Sequence, residues 1–273
     1  MPILTVAIPV SLDAAVRVAV RQRGISPDRL VGAALGEYLN SHHHRMYQIS
    51  TSTALVEGVS EGAVSSGFLL AHGDFGLGTF ENLDGEMVIL DGIIYQVRAD
   101  GAVTRRDDEF QIPFAVVTRF QKEVVFDAKN LERLADVERL CDSHRESPNL
   151  FYALKAEGQF DQVHARAVSR MAPGTPLVDA AAAQKEFCFR DIEGTLIGLW
   201  SPGYSGTFNV PGYHFHFLSK DRTKGGHVLD CSANTLRVEL QTLCEYDVRL
   251  PDKGSFLTAS LDKDPAAALE KVE

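Results

Sequence analysis

From residue 83 to residue 106 the chain reads LDGEMVILDGIIYQVRADGAVTRR, short β-branched and aromatic runs cut by Asp84-Gly85, Asp91-Gly92 and Asp100-Gly101. Asp-Gly supplies the positive φ that tight hairpin turns demand, so this spacing predicts consecutive antiparallel strands. The segment leaves no room for a helix. Further on, LFYALKAEGQFDQVHARAV, with Glu157-Gly158 at its bend, and EFCFRDIEGTLIGLWSP each read as strand, turn and strand. Helical signals are few: one helix capped near Ser52, a short one ahead of a glycine-rich turn in VSSGFLLAHGDFGLGTFENL, the spacing over residues 130–142, and a terminal helix begun by Asp264 and Pro265. The expected class is α+β, with extensive mixed and antiparallel sheets.

The first 45 residues follow a different pattern. ILTVAIPV reads as a strand, Ser11 as the cap of a helix running to about residue 23, and Gly24 as its C-terminal glycine. Ser26 then caps a second helix with Pro27 at its first position, and Val31, Ala34, Leu35, Tyr38 and Leu39 share one face. Strand, helix, helix resembles a ribbon-helix-helix segment, whose strands pair across a dimer and in DNA-binding members enter the major groove. A reading ribbon needs Arg, Lys, Asn or Gln on alternate positions. This strand offers only Thr5, so dimerisation is expected rather than nucleic-acid binding. The domains read as 1–45, a dimerisation segment, and 46–273, a separate body. The HHHR run at 42–45 reads as a solvated linker.

Composition narrows the setting. The 273 residues are 45% hydrophobic with a net charge of −10. Five arginines against Asp13, Asp28 and Glu37 give the first 45 residues +2 and leave −12 for the rest, a balance that opposes nonspecific nucleic-acid binding. No apolar run approaches the roughly 18 residues that span a bilayer, and Asp13 and Arg17 interrupt what would be a signal-peptide core. Cys141, Cys188, Cys231 and Cys244 lack the spacing of a zinc knuckle or disulfide scaffold and read as reduced, buried thiols. A cytoplasmic protein is expected.

Chemistry concentrates in GYHFHFLSKDRTKGGHVLD, residues 212–230. In a strand, His214 and His216 project to one face and Phe215 and Phe217 to the other. SKDRTKGG is rich in turn formers; a bend centred between Asp221 and Arg222 sets His216 opposite His227, within the roughly 5 Å of cross-strand neighbours. Three neutral imidazoles with an open fourth position make the ligand set of a catalytic zinc. A cupin site would add a glutamate three or four residues on, where this chain has Ser219 and Lys220. The glycines of LDGEM and DFGLG are followed by no P-loop lysine, which excludes nucleotide binding of that type.

HGDFGLGTFENLDGEM at 72–87, PFAVVTRF at 113–120, NLFYALKAEGQFDQVHARAV at 149–168 and GYHFHFLSKDRTKGGHVLDC at 212–231 together resemble acetolactate decarboxylase, from about Tyr47 to the end. The resemblance implies that His214, His216 and His227 bind Zn2+, and that Thr79 and Glu86, seven residues apart, and Arg166 in HARAV belong to the catalytic machinery. It also implies a glutamate near the C-terminus approaching the metal: Glu273 by its distance from the histidines, with Glu270 the alternative. The implied reaction is decarboxylation of 2-acetolactate to (R)-acetoin through a metal-stabilised enediolate, and the N-terminal segment adds the expectation of a homodimer or larger homo-oligomer. Read without the resemblance, Glu86 and Arg166 are surface strand residues, Thr79 is a turn residue, and His72 and Asp74 serve caps or turns. The alternative function is a DNA-binding regulator whose decarboxylase-like body senses a metabolite.

Overall fold

The computed structural model describes residues 4–38 and 44–272. The chain divides into two compact units, 1–43 and 44–273.

In the first unit, α1 spans Val10–Arg23 and α2 spans Pro27–Tyr38. Gly24, at φ 64°, closes α1 as expected by donating its N–H to Val20 O. The start differs: Pro9 stands at the N-cap, with no side-chain cap, so Ser11 lies inside the helix. Its ring presets the φ that leads into the first turn. Residues 4–9 form no strand, because a strand needs a ladder partner and the unit's described residues contain none. Leu39 lies outside the described residues.

The second unit runs β1 (Arg45–Ile49), α3 (Ser52–Val56), β2 (Val64–Ser65), α4 (Ser66–His72), β3 (Phe75–Thr79), β4 (Glu86–Leu90), β5 (Ile93–Val97), β6 (Val103–Arg106), β7 (Gln111–Ile112), β8 (Phe114–Thr118) and β9 (Val124–Leu131). It continues through α5 (Leu134–His144), β10 (Phe151–Ala167), α6 (Leu177–Ala182), β11 (Lys185–Ser201), β12 (Gly212–Ser219), β13 (Gly225–Leu243), β14 (Glu245–Arg249) and α7 (Ala266–Leu269). A seven-stranded sheet has the order β14-β1-β8-β3-β4-β5-β6, and a five-stranded sheet the order β10-β11-β12-β13-β9, with β13 also paired to β10. All these pairings are antiparallel except β1 with β14. The class is therefore α+β with mixed sheets.

The three Asp-Gly pairs make the turns they predict: Gly85, Gly92 and Gly101 all have positive φ and separate β3, β4, β5 and β6. Other glycines misled. DFGLG is not a turn but lies mostly in buried β3, and Glu157-Gly158 bends nothing, since β10 runs unbroken, as does β11. The cause is close approach rather than turning: a Cβ on Gly158 would stand 2.8 Å from Thr235 O, and one on Gly76 2.0 Å from Val116 O. Gly76→Ala is thus expected to destabilise the protein by about 3 kcal/mol, as overpacking does. An unchanged denaturation midpoint would show that β3 and β8 can move apart.

Met46, Leu77, Val88 and Phe114 of the larger sheet meet Ala153, Ile197, Leu199 and Leu218 of the smaller in one core. Beyond the smaller sheet, Val137 and Cys141 of α5 join Phe160, Phe215 and Phe217 in a second. Cys141 and Cys231 are buried as expected, whereas Cys188 on β11 and Cys244, at the junction of β13 and β14, are exposed.

Candidate active site

The site forms where β3 and β4 of one sheet meet β10, β12 and β13 of the other. Gly225 and Gly226 open β13, and a Cβ on Gly226 would lie 2.6 Å from Arg166 O. Their missing side chains let β13 press against β10, carrying His227 opposite Arg166 and His216. The hairpin register is thus the one a bend between Asp221 and Arg222 predicts. Phe215 and Phe217 face the core, and the three histidines face a cavity that Glu86, Arg166 and Thr79 also line.

Each imidazole is constrained. One candidate ligand atom from each histidine lies within 4.8 Å of the others. His216 Nδ1 donates to Met87 O at 2.8 Å, which leaves the lone pair on Nε2. That Nε2 is buried with no hydrogen-bond partner, and its nearest acid is Glu86 Oε2 at 3.6 Å. His214 Nε2 and His227 Nδ1 stand 3.0 Å apart, a separation two lone pairs tolerate only with a proton or a cation between them. Burial first, then the Arg166 charge, lowers His214 to about 3. His216 is pushed well below its ordinary value by burial and then by His214, and His227 by burial and then by Arg166. Neutral, desolvated imidazoles with converging lone pairs suit a divalent cation.

Arg166 is 7% exposed. Its Nη1 donates to Gln184 Oε1 at 2.8 Å and its Nη2 to Val272 O, while Nε is buried without a partner. Thr79 and Glu86 oppose each other across β3 and β4, and Thr79 Oγ1 donates to Gly85 O at 3.0 Å, tying down the turn from which Glu86 emerges. The sequence marks these three as functional only through the resemblance. Their convergence with the histidines is what the strand pairing adds.

The C-terminal glutamates differ. Glu273 lies outside the described residues, and Glu270 is exposed at the end of α7. The short helix turns Leu269 and Val272 into the cavity instead, where Leu177 and Ala181 of α6 join them. Sequence spacing gave no sign of this apolar wall, of Gln184 or of the Met87 carbonyl. His42 and His43 lie outside the described residues, whereas His44 donates to Thr242 O at 3.0 Å and Arg45 opens β1, paired with Glu245 and Asp247. The expected linker thus ends before His44. His72 Nδ1 donates to Phe68 O, and Asp74 accepts from Phe120 N–H, both local structural roles.

A family profile described as Alpha-acetolactate decarboxylase matches residues 46–263. The chain belongs to the alpha-acetolactate decarboxylase family. It is accordingly an enzyme of the carboxy-lyase class. The family's protein from Methanosarcina mazei is 41% identical over 229 residues, 84% of this chain and 80% of the relative. That from Methylococcus capsulatus is 39% identical, over 86% of this chain and 91% of the relative. The crystal structure of the alpha-acetolactate decarboxylase from Bacillus subtilis strain 168 superposes with a TM-score of 0.81 at 35% identity, covering 84% of this chain and 99% of that one. Among the described residues no helix is long and apolar enough to cross a membrane.

The buried histidines set a pH response in metal-free protein. Their folded values lie below the ordinary 6.5, so the unfolded chain binds more protons as pH falls. The stability they contribute is complete above about pH 6.5 and declines below it, by about 1.4 kcal/mol per pH unit for each buried group. Urea unfolding after chelation at pH 7 and pH 5 is expected to show a loss of a few kcal/mol. A loss of the same size in a His216→Phe, His227→Phe double variant would assign it to other groups.

Proposed function

We propose that the chain decarboxylates 2-acetolactate to (R)-acetoin in the cytoplasm, with Zn2+ held by His214, His216 and His227. The observation that carries this is the buried, unpartnered His216 Nε2 among three neutral imidazoles, with a cationic fork and a carboxyl in the same cavity. When bound, the ion supplies Lewis-acid stabilisation of negative charge on the substrate's carbonyl and hydroxyl oxygens.

The rest falls to the protein's own groups. Arg166, held by Gln184 and Val272 O, orients the substrate carboxylate through its planar fork. Loss of carbon dioxide leaves an enediolate that needs one proton. Glu86 delivers it to one face and so sets the product's handedness, while Thr79 fixes the turn that positions Glu86. Leu177, Ala181, Leu269 and Val272 keep water from the reacting carbon. Residues 46–273 form the catalytic domain, working in a homodimer or larger homo-oligomer.

The test is acetoin formation from racemic 2-acetolactate, with product configuration and metal content measured on one sample. Turnover to (R)-acetoin with about one zinc per chain is the expected result. Bound metal without turnover would overturn it in favour of a metabolite sensor.

A further inference from the structure

The turn that leads into Glu86 has an uncommon backbone. Asn82 and Leu83 stand at φ 58° and 57° and Gly85 at 89°, and a side chain as bulky as leucine seldom enters the left-handed region. Such a conformation persists only where its surroundings over-determine it. At its far end, Asn82 N–H donates to Ser60 O at 3.0 Å and Asn82 O accepts from Met171 N–H at 2.8 Å. Nearer Glu86 the turn is held by side chains on both flanks of β4. From β3, Thr79 Oγ1 donates to Gly85 O at 3.0 Å. From β5, Gln96 Nε2 donates to Asp84 O at 2.6 Å and reaches Asp84 Oδ2 at 3.2 Å.

Gln96 is 1% exposed, in a strand otherwise made of Ile93, Ile94, Tyr95 and Val97. Burying an amide costs free energy unless both of its ends are bonded. Here the second end, Oε1, accepts from Arg106 Nη1 at 2.7 Å. Arg106 is itself held by both oxygens of Asp108 at 2.8 Å, and its guanidinium carbon lies 4.4 Å from the centre of the Phe110 ring. A guanidinium has donors only, so Arg106 settles which way the Gln96 amide points: oxygen to Arg106, nitrogen to the turn. Gln96 does not line the cavity, so contact with a substrate does not account for it.

We infer that Gln96 is a positioning residue for the reaction, gripping the turn from β5 as Thr79 grips it from β3, so that the two together aim Glu86 into the cavity. The inference rests on the reading of Glu86 as the proton donor. The two gripped carbonyls, of Asp84 and Gly85, belong to consecutive peptide units directly ahead of Glu86. Either grip alone therefore restrains the turn, and loss of both frees the carboxyl to swing. A Gln96 that served stability alone would change the denaturation midpoint and leave the chemistry as it was.

The test compares Gln96→Glu, Thr79→Val, the double variant and Glu86→Gln in the metal-loaded full chain, by kcat, acetoin configuration and metal content. Gln96→Glu keeps an oxygen for Arg106, whose charge holds the new carboxyl ionised, but has no N–H to offer Asp84 O. Gln96→Met, of similar length and without a donor, is the second variant should the carboxylate prevent folding. Gln96→Glu and Thr79→Val are each expected to lose about ten- to thirtyfold in kcat, as small misplacements of a reacting group do, with metal content unchanged and (R)-acetoin still dominant. The double variant is expected to lose more than the product of the two, to approach Glu86→Gln in rate and to release both enantiomers. Ile94→Val, a core change on the same strand, is the control for destabilisation and is expected to keep rate and configuration. Gln96 variants at the wild-type rate, an equal loss in Ile94→Val, or a double variant whose losses only multiply while the product stays (R) would overturn the inference. Wild-type rate and pure (R)-acetoin from Glu86→Gln would instead overturn the proton-donor reading, and the inference with it.

Discussion

His216→Ala is expected to empty the site of metal and to lower acetoin formation by more than about a thousandfold. A group worth several kcal/mol of charge stabilisation is removed, and each 1.36 kcal/mol is a factor of ten in rate. Three features make this histidine the sharpest probe of the three. It is 1% exposed, so water cannot replace its ring freely. Its Nδ1 is committed to Met87 O, so its ligating nitrogen is fixed by the fold. It stands opposite His227 in the hairpin, so its loss unbalances the other two imidazoles. The fold tolerates the change, because the unpaired Met87 carbonyl costs only about 1–3 kcal/mol. Metal analysis and a turnover assay on the same folded preparation check the prediction. Retained zinc with near-normal turnover would remove His216 from the ligand set.

The hairpin was legible in the sequence because its logic is local. Alternation in a strand and a turn between Asp221 and Arg222 are enough to bring His216 to His227, and the Asp-Gly pairs set the β3 to β6 meander in the same way. Gly76 and Gly158 were misread for the opposite reason. Their role is set by Val116 and Thr235, distant in sequence, which no local pattern reveals. The same limit applies to the site. Arg166 has no neighbour in sequence that marks it, and only the β10–β13 register, made possible by Gly226, carries it to His227. The apolar wall from Leu269 and Val272 requires the tail to fold back over the cavity, which a four-residue helix with no hydrophobic repeat does not announce. In the first unit the strand expected over residues 3–10 is absent from the single chain at residues 4–9 because β structure is a property of pairs. The pattern specifies a strand; the partner has to come from elsewhere.

Glu86→Gln is expected to reduce kcat by about a hundred- to ten-thousandfold, the range typical of a lost general acid, with KM changed little. Glutamine keeps the size of glutamate and can still accept a hydrogen bond, so the strand end and the Thr79 pairing survive while the transferable proton is lost. The carboxyl enters from β4 beside His216, with Oε2 3.6 Å from Nε2, and β3 and its turn hold it from below through Thr79 and Gly85. It therefore faces the cavity from one fixed direction. Without it the enediolate must take its proton from solvent, which has no such restriction, so the product is expected to lose its single handedness as the rate falls. Thr79→Val is the contrast: it loosens the turn but leaves the carboxyl in place, so rate falls less and configuration is largely kept. The ratio of acetoin enantiomers, measured by chiral chromatography beside kcat, separates the two roles. Pure (R)-acetoin at the wild-type rate from Glu86→Gln would mean that another group delivers the proton, and would reduce Glu86 to an electrostatic neighbour of His216.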